Sequence, residues 1–315
     1  MRSRLAFPAP WTWRPLVERN LPALTALAST VLWEDGGLPL SATPDFLKGR
    51  YLPELPGKNL GCFTANGNLV AAAAVQANHA SHEYRCQFTG LVHPDSRGQG
   101  LGRFLFDWGT EQGQEILDEC PTDWPHAFIG LTESLNKAAE HLYARYGFSQ
   151  QFAEDVLRRD LRTPLPKLNL PAGITLKTWN PETIPLFFQA YEQSFGDRPG
   201  FPHWSQPQWV EWVADDDDFL SRASLLALRG STPVGFITCS QDWINQVGVI
   251  PAERGHGLGA ALMVKALQQL QSHGSRQVWL DVNINNPEAA SLYKRFGFIH
   301  AGRRARYHRP VKTGE

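Results

Sequence analysis

Two segments of the sequence place an arginine and alternating glycines where they could bind an anion. They read HPDSRGQGLG and IPAERGHGLG, and each has a proline three residues before its arginine. Glycines at alternate positions permit unusual dihedrals and remove Cβ atoms, so a pyrophosphate can approach the main-chain N–H groups. We therefore predict one anion-binding loop in each half of the chain. The predicted loop residues are Arg97, Gly98, Gln99, Gly100, Leu101 and Gly102, and Arg254, Gly255, His256, Gly257, Leu258 and Gly259.

A second pair of segments follows the loops and places an asparagine and a tyrosine seven residues apart. These are NKAAEHLYARYGF, from Asn136 through Tyr143, and NPEAASLYKRFGF, from Asn286 through Tyr293. Seven residues are two helical turns, so the two side chains lie on one helix face. A tyrosine hydroxyl there can act as a proton donor. A buried tyrosine with a local hydrogen bond explains either helix taken alone equally well.

The elements that position these residues occur twice and in the same order. Each half reads as a strand, one or two helices, three strands, the glycine loop, a helix, a strand, a second helix and closing strands. The helix after the second loop has an apolar stripe, formed by Leu262, Met263, Ala266, Leu267 and Leu270. The segment RTPLPKLNLPAG between the halves is rich in proline, which favours an extended connector. We predict an N-terminal domain at 1–161, a linker at 162–173 and a C-terminal domain at 174–315.

Composition excludes several classes of protein. The 315 residues carry 30 basic and 31 acidic side chains, so no broad positive field would attract nucleic acid. The four cysteines are scattered without a CxxC pair, and we expect neither a disulfide framework nor a metal site. Prolines interrupt the N-terminus before an apolar signal region can form, and no apolar stretch is long enough to cross a membrane. We expect a cytoplasmic protein.

The chain resembles a tandem member of the GNAT N-acetyltransferase superfamily. The R/Q-x-x-G-x-G/A loop of that family is matched in both halves, and so is an N-x-x-A-x-x-L-Y-x-x-x-G-F helix. The segment AYEQSFGDRPGFPHWSQPQW also resembles mycothiol synthase-like tandem proteins. The resemblance implies an α/β fold of two tandem domains, each with a mixed, mostly antiparallel central sheet flanked by helices and a splayed strand pair that binds acyl-CoA.

The resemblance also implies a mechanism with acetyl-CoA as acyl donor and a primary amine as acceptor. We expect a small-molecule amine, such as a metabolite or an aminoglycoside-like compound, with a protein terminus as the alternative. The backbone at Val92, on the strand before the first loop, and at Val247 and Val249, on the strand before the second loop, would bind the pantetheine arm. The loops and the two asparagines would complete the site. The amine would attack the thioester directly, and Tyr293, or Tyr143 in the first half, would protonate the thiolate. We expect the second half to be the active one.

The general base is not identified by the resemblance. Family members often use a glutamate on the strand before the loop, and neither GLVHP nor QVGVIP contains an acid. Glu83, Asp242, Glu133 and Asp281 lie elsewhere on or near these strands, and a water relay is an equally good alternative.

Two other functions fit parts of the sequence. One or both halves could bind acyl-CoA as a regulatory or silent module. Alternatively, GHGLGA, followed by Asp281 about twenty residues later, fits a dinucleotide-binding oxidoreductase. Arg103 breaks that fingerprint in the first half, so it ranks lower.

Overall fold

The computed structural model describes residues 8–53, 56–80, 83–120, 124–197, 201–214 and 217–311. The ends of the two predicted domains, 1–7 and 312–315, lie outside this part of the chain. The chain forms two compact units, which are Met1–Val156 with Ala301–Glu315 (unit 1) and Leu157–His300 (unit 2).

The predicted order of elements is confirmed in both halves. The first half contains β1 (Thr12–Arg14), α1 (Leu21–Asp35), α2 (Pro44–Tyr51), β2 (Gly57–Phe63), β3 (Leu69–Ala80), β4 (Glu83–Val92), α3 (Leu101–Asp118), β5 (His126–Thr132), α4 (Lys137–Arg145) and β6 (Ser149–Asp160). The second half contains β7 (Ile174–Thr178), α5 (Ile184–Phe195), α6 (Gln206–Ala214), β8 (Leu225–Arg229), β9 (Thr232–Ser240), β10 (Trp243–Val249), α7 (Leu258–Ser272), β11 (Gln277–Asn283), α8 (Pro287–Arg295) and β12 (Ile299–Val311).

The strands of unit 1 follow the order β1-β2-β3-β4-β5-β12-β6. The ladders from β1 to β4 are antiparallel, as is the ladder between β5 and β12, whereas β4 and β5 are parallel. The centre of this sheet is built from small residues, because β3 contributes four consecutive alanines, Ala71 to Ala74, that are at most 1% exposed. Both α1 and α3 contact β3. Small side chains let helices pack closely against the strand.

The strands of unit 2 follow the order β11-β10-β9-β8-β7. The ladders from β7 to β10 are antiparallel, and β10 and β11 are parallel. All five residues of the apolar stripe predicted on α7 are fully buried in the core of this unit. Both units therefore have the mixed, mostly antiparallel sheet with flanking helices that the resemblance implied.

The division of the chain differs from the predicted domains at the last strand. The sequence assigned 174–315 to the second domain, but β12 from Ala301 onward belongs to unit 1, and the linker 162–173 belongs to unit 2. The reason is the pairing of β12, whose residues Ala305–Val311 lie opposite Thr132–His126 of β5. The alternation of a strand does not reveal which sheet it joins, so the sequence could not show this.

Candidate functional site

Both glycine loops adopt the open, left-handed geometry that the sequence predicts. Gly98 and Gly100 have φ of 76° and 85°, and Gly255 and Gly257 have φ of 79° and 82°. A Cβ at any of these four positions would meet nothing within 4 Å, so the main chain faces open space. Gly100 and Gly257 are the N-cap residues of α3 and α7. Free N–H groups of a helix N-terminus, together with the helix dipole, suit an anion such as a diphosphate.

The remaining loop side chains fall into two classes. Leu101 and Leu258 are each 1% exposed and anchor their helices in the core, so only their backbone is available to a ligand. Gln99 and His256 are exposed on the outside of their loops. Gly102 and Gly259 lie in the first helical turn, close to Leu142 and Val249.

The two loop arginines differ in their partners. Arg97 donates to both carboxylate oxygens of Asp35, at 2.8 and 2.7 Å, and the Asp35 side chain is 5% exposed. Arg254 instead donates to two neutral carbonyls, those of Val249 at 3.1 Å and Ser194 at 2.9 Å. The positive charge of Arg97 is thus offset locally, whereas Arg254 has no carboxylate among these bonds. Nothing in the sequence pattern marks Asp35 as the partner of Arg97.

The strand pair beside each loop diverges, as the family resemblance implied. In unit 1 the parallel ladder between β4 and β5 ends at Phe88 opposite Gly130, while β4 continues to Val92. In unit 2, β10 and β11 are in register at Trp243 and Trp279, and β10 continues for six residues to Val249. Val247 lies on this same extension. Backbone groups on the strand edge that faces the divergence are available to an extended ligand, while the other edge stays paired with β3 or β9.

A cleft of about 440 Å³ follows the divergence in unit 1. Its walls are the end of β4, the glycine loop, the first turn of α3 and the inner face of α4. Residues lining it include Val92, Arg97, Gly98, Gly100, Asn136 and Tyr143. The structure therefore brings the predicted binding residues of unit 1 to the same cleft as the predicted acid.

The two asparagines cap the helices that carry the tyrosines. Asn136 Oδ1 accepts from the Ala139 N–H at 2.9 Å, and Asn286 Oδ1 accepts from the Ala289 N–H at 3.2 Å. The Asn136 amide also donates to Asp35 at 2.8 Å. An N-cap satisfies a helix N–H that would otherwise lack a partner. The asparagines thus fix the start of each helix beside the site.

Tyr143 is enclosed by aromatic rings and is 3% exposed. Its ring stacks on Tyr307 of β12, with centroids 4.1 Å apart and an interplanar angle of 3°, and meets Phe106 edge-on at 5.0 Å. A side chain at Gly130 would overlap the ring, so that glycine makes room for it. Burial raises the pKa of the Tyr143 hydroxyl above its ordinary value. The hydroxyl therefore keeps its proton at neutral pH, as a proton donor must.

Tyr293 occupies the corresponding position in unit 2 and is 7% exposed. Its ring lies 5.9 Å from that of Phe298. Both tyrosines are thus buried on the inner face of the helix that follows the diverging strands.

Only one of the four candidate bases adjoins the unit 1 cleft. Glu83 is at the opposite end of β4, about 30 Å from Val92 at 3.3 Å per residue. It is engaged there by His308 at 2.9 Å and by Arg85 at 2.5 Å, and these bonds outweigh its burial and lower its pKa. Glu133 directly follows β5, beside the cleft wall.

Neither of the two candidate bases in unit 2 lies at the end of a strand next to the glycine loop. Asp242 is in the turn before β10, at the end distant from the loop, with φ of 60°. Asp281 lies within β11.

The described residues contain neither a metal-binding cluster nor a membrane-spanning helix. No group of three His, Cys, Asp or Glu side chains is arranged to hold a metal ion in that part of the chain. No helix within it has the length and hydropathy needed to cross a bilayer.

Comparison with protein families matches both halves. The model of the Acetyltransferase (GNAT) family matches residues 183–298, and that of the Acetyltransferase (GNAT) domain matches residues 58–150. The chain belongs to the GNAT acetyltransferase family, as a tandem member with two copies of the domain. It is an acetyl-CoA-dependent acyltransferase.

Two curated relatives share the same name. A protein named mycothiol acetyltransferase from Thermobispora bispora is 33% identical over 66% of this chain and 70% of the relative. A second of that name, from Frankia casuarinae, is 29% identical over 86% and 82%. A GCN5-related N-acetyltransferase structure from Sphaerobacter thermophilus matches with a TM-score of 0.74 and 24% identity, covering 98% of both chains. That last likeness shows the fold.

Proposed function

We propose that this protein transfers an acetyl group from acetyl-CoA to a primary amine of a small-molecule acceptor by direct attack. The observation that carries this proposal is the unit 1 cleft, which has an anion-binding loop at one end and the buried Tyr143 hydroxyl on its wall. Acetyl-CoA supplies the activated thioester. The open main chain at Gly98 and Gly100 fits its diphosphate, and the edge of β4 that faces β5 beyond Phe88 fits its pantetheine arm.

The residues of the chain act on the proton and on the developing charge. A backbone N–H at the end of β4 or β10 donates to the carbonyl oxygen as negative charge forms on it. Tyr143 or Tyr293 donates its hydroxyl proton to the departing thiolate. The position of Tyr143 on the wall of the cleft supports this role, because it brings the hydroxyl beside the diverging strands where the thioester would lie.

We also propose which of the two units turns over substrate. The regular apolar stripe of α7 favours unit 2, and Arg254 supports anion binding there, because its hydrogen bonds within the described residues go to neutral carbonyls. Unit 1 offers a cleft, a loop and a buried tyrosine of the same kind. A silent acyl-CoA-binding unit is the rival for whichever half proves inactive.

The topology of the two sheets argues against dinucleotide binding. That function requires an open, mostly parallel sheet, and the ladders beside both loops, β3 with β4 and β9 with β10, are antiparallel. Titration with NADH and with acetyl-CoA tests the point, since the proposal expects heat from acetyl-CoA alone.

The decisive experiment is an acetyl-CoA turnover screen over an amine library with Tyr143→Phe and Tyr293→Phe as variants. The name of the curated relatives makes acceptors related to mycothiol the first to test. Loss of the acid in the active unit should lower kcat about 10²- to 10⁴-fold. Tyr84→Phe, at the opposite end of β4, is the matched control and should retain full activity. Unchanged turnover in both cleft variants would overturn the assigned acid.

A further inference from the structure

A small chamber with two charged side chains in an otherwise largely apolar lining lies beside the unit 1 cleft and shares its walls. The chamber has a volume of about 30 Å³ and is partly open. Gly90, Leu91, Thr132 and Ser134 line both the chamber and the cleft. A water-sized group needs about 10 to 15 Å³ of such space, so the chamber holds about two polar atoms. Anything bound there adjoins the diverging strands where the thioester would lie.

Two opposite charges face each other in this chamber without a hydrogen bond between them. Arg50 Nη2 and Glu133 Oε1 are 3.6 Å apart, and the side chains are 19% and 18% exposed. A separation of 3.6 Å is too long for a hydrogen bond. Within the described residues, neither side chain makes any other side-chain hydrogen bond. Half-buried charged side chains that lack hydrogen-bond partners favour a ligand that can hydrogen-bond to both of them.

The chamber residues are held in place by their own contacts. The Arg50 guanidinium lies over the ring of Phe46, 5.0 Å from its centroid. The hydroxyls of Tyr51 and Thr89 are 3.3 Å apart, and both residues are buried. These contacts orient the cation on one side and present two hydroxyls on the other, so the recognition groups are in position before a ligand arrives.

We propose that this chamber binds the ammonium and carboxylate groups of a free α-amino acid, which is the acceptor for unit 1. Arg50 pairs with the carboxylate and Glu133 with the ammonium. One ammonium nitrogen and one carboxylate oxygen fill the space for about two polar atoms, and the other atoms of the amino acid lie in the adjoining cleft. An acceptor with only one of these groups leaves one half-buried charge without a partner. This proposal rests on the acetyl transfer proposed above, requires that unit 1 as well as the favoured unit 2 turns over substrate, and names the substrate class of unit 1.

The reaction balances with the groups present. Glu133 takes one proton from the ammonium, and the freed amine attacks the thioester carbonyl carbon. The C–N bond forms, the C–S bond breaks, and the thiolate takes the hydroxyl proton of Tyr143. The second proton of the amide nitrogen goes to solvent, and Tyr143 regains a proton from Glu133. One N-acetylated amino acid, free coenzyme A and one net proton result.

Direct binding tests the chamber separately from turnover. Glycine, methylamine and acetate are titrated into the full chain by saturation-transfer NMR, with acetyl-CoA titrated in parallel by calorimetry. We expect glycine to bind at least tenfold more tightly than methylamine or acetate. Arg50→Gln and Glu133→Gln should each weaken glycine binding at least tenfold. Lys48→Gln, on the same helix but with a 56% exposed side chain, should leave it unchanged.

The outcomes separate the two proposals. No glycine binding to the wild type, or equal binding by the wild type and both variants, would refute the amino-acid chamber while acetyl-CoA binding still supports the proposed function. Glycine binding without heat from acetyl-CoA would refute the proposed function instead. If a single variant fails to fold, Arg50→Gln/Glu133→Gln removes both charges together and avoids an unpaired one. Retained glycine binding by that double variant would also refute the chamber.

Discussion

Tyr307 of the last strand lies flat on Tyr143, with centroids 4.1 Å apart and planes 3° from parallel. Each ring is 3% exposed, so the two rings form one buried layer of unit 1. The candidate acid of the first half is therefore held by a residue encoded 164 positions later in the chain. Nothing in the helix that carries Tyr143 indicates this support.

Removing the Tyr307 ring should destabilise unit 1. Tyr307→Ala leaves a cavity against Tyr143, and a buried aromatic truncated to alanine costs about 3 to 5 kcal/mol in free energy of unfolding. Tyr307→Phe keeps the stack and loses one hydrogen bond, to Gln150 Oε1, which is weak because it is 3.4 Å long. Urea titration of both variants checks this. Equal midpoints for the two would contradict a packing role for the ring.

Filling the space under Tyr143 should move the candidate acid. Gly130→Ala places a methyl group into its ring, and overpacking of this kind costs about 1 to 3 kcal/mol. If unit 1 is active, kcat should fall more than the affinity for acetyl-CoA does. Gly49→Ala, where a methyl group meets nothing within 4 Å, is the control and should keep both values.

Filling one anion loop at a time should remove one cofactor site at a time. Gly100→Val and Gly257→Val put a side chain into the open space of each loop. Calorimetry should show the loss of one acetyl-CoA site in each variant.

The left-handed backbone also strains any such variant, at about 1 to 2 kcal/mol. Gly67→Val and Gly230→Val carry the same strain, because both glycines have positive φ and open surroundings in turns away from the loops. These controls should lose stability without losing acetyl-CoA binding. Equal loss of acetyl-CoA binding in the controls would show that backbone strain, and not the filling of the glycine loop, causes the loss.

Alkaline pH should destabilise the fold through its buried tyrosines. Burial raises the pKa of Tyr307 to about 12, and it raises the pKa of Tyr143 as well. Their ordinary value in an unfolded chain is about 10, so the unfolded state releases these protons first. The stabilisation is complete below pH 10 and is lost as the pH rises toward 12.

The slope of this loss is measurable. Each such tyrosine contributes about 1.4 kcal/mol per pH unit within that window. Unfolding midpoints between pH 9 and 11.5 should therefore fall, and they should fall less steeply for Tyr307→Phe. A curve that is flat over this range would contradict burial of these hydroxyls.

The repeated motifs predicted the fold because they mark local structure. Alternating glycines specify a left-handed turn before a helix, and the Asn-to-Tyr spacing specifies one helix face, so both copies were found in place. The role of Asn136 as a helix cap is also local, because its side chain accepts from an N–H only three residues along the chain. What the sequence could not show depends on contacts between distant segments.

Three such contacts shape the candidate site. Asp35 reaches Arg97 from the end of α1, Arg50 faces Glu133 from α2, and Tyr307 covers Tyr143 from β12. Each involves a residue of ordinary type outside any motif. A sequence pattern reports periodicity along one element, whereas these pairs depend on how separate elements pack.

The pairing of β12 with β5 has a consequence for the order in which the protein matures. The ribosome completes both glycine loops well before it releases the residues that finish the sheet of unit 1. The half that is made first must therefore wait, with one edge of β5 open, until β12 has been synthesised. A chain that terminates early near residue 300 would retain every recognisable motif and still lack the strand that closes its first fold.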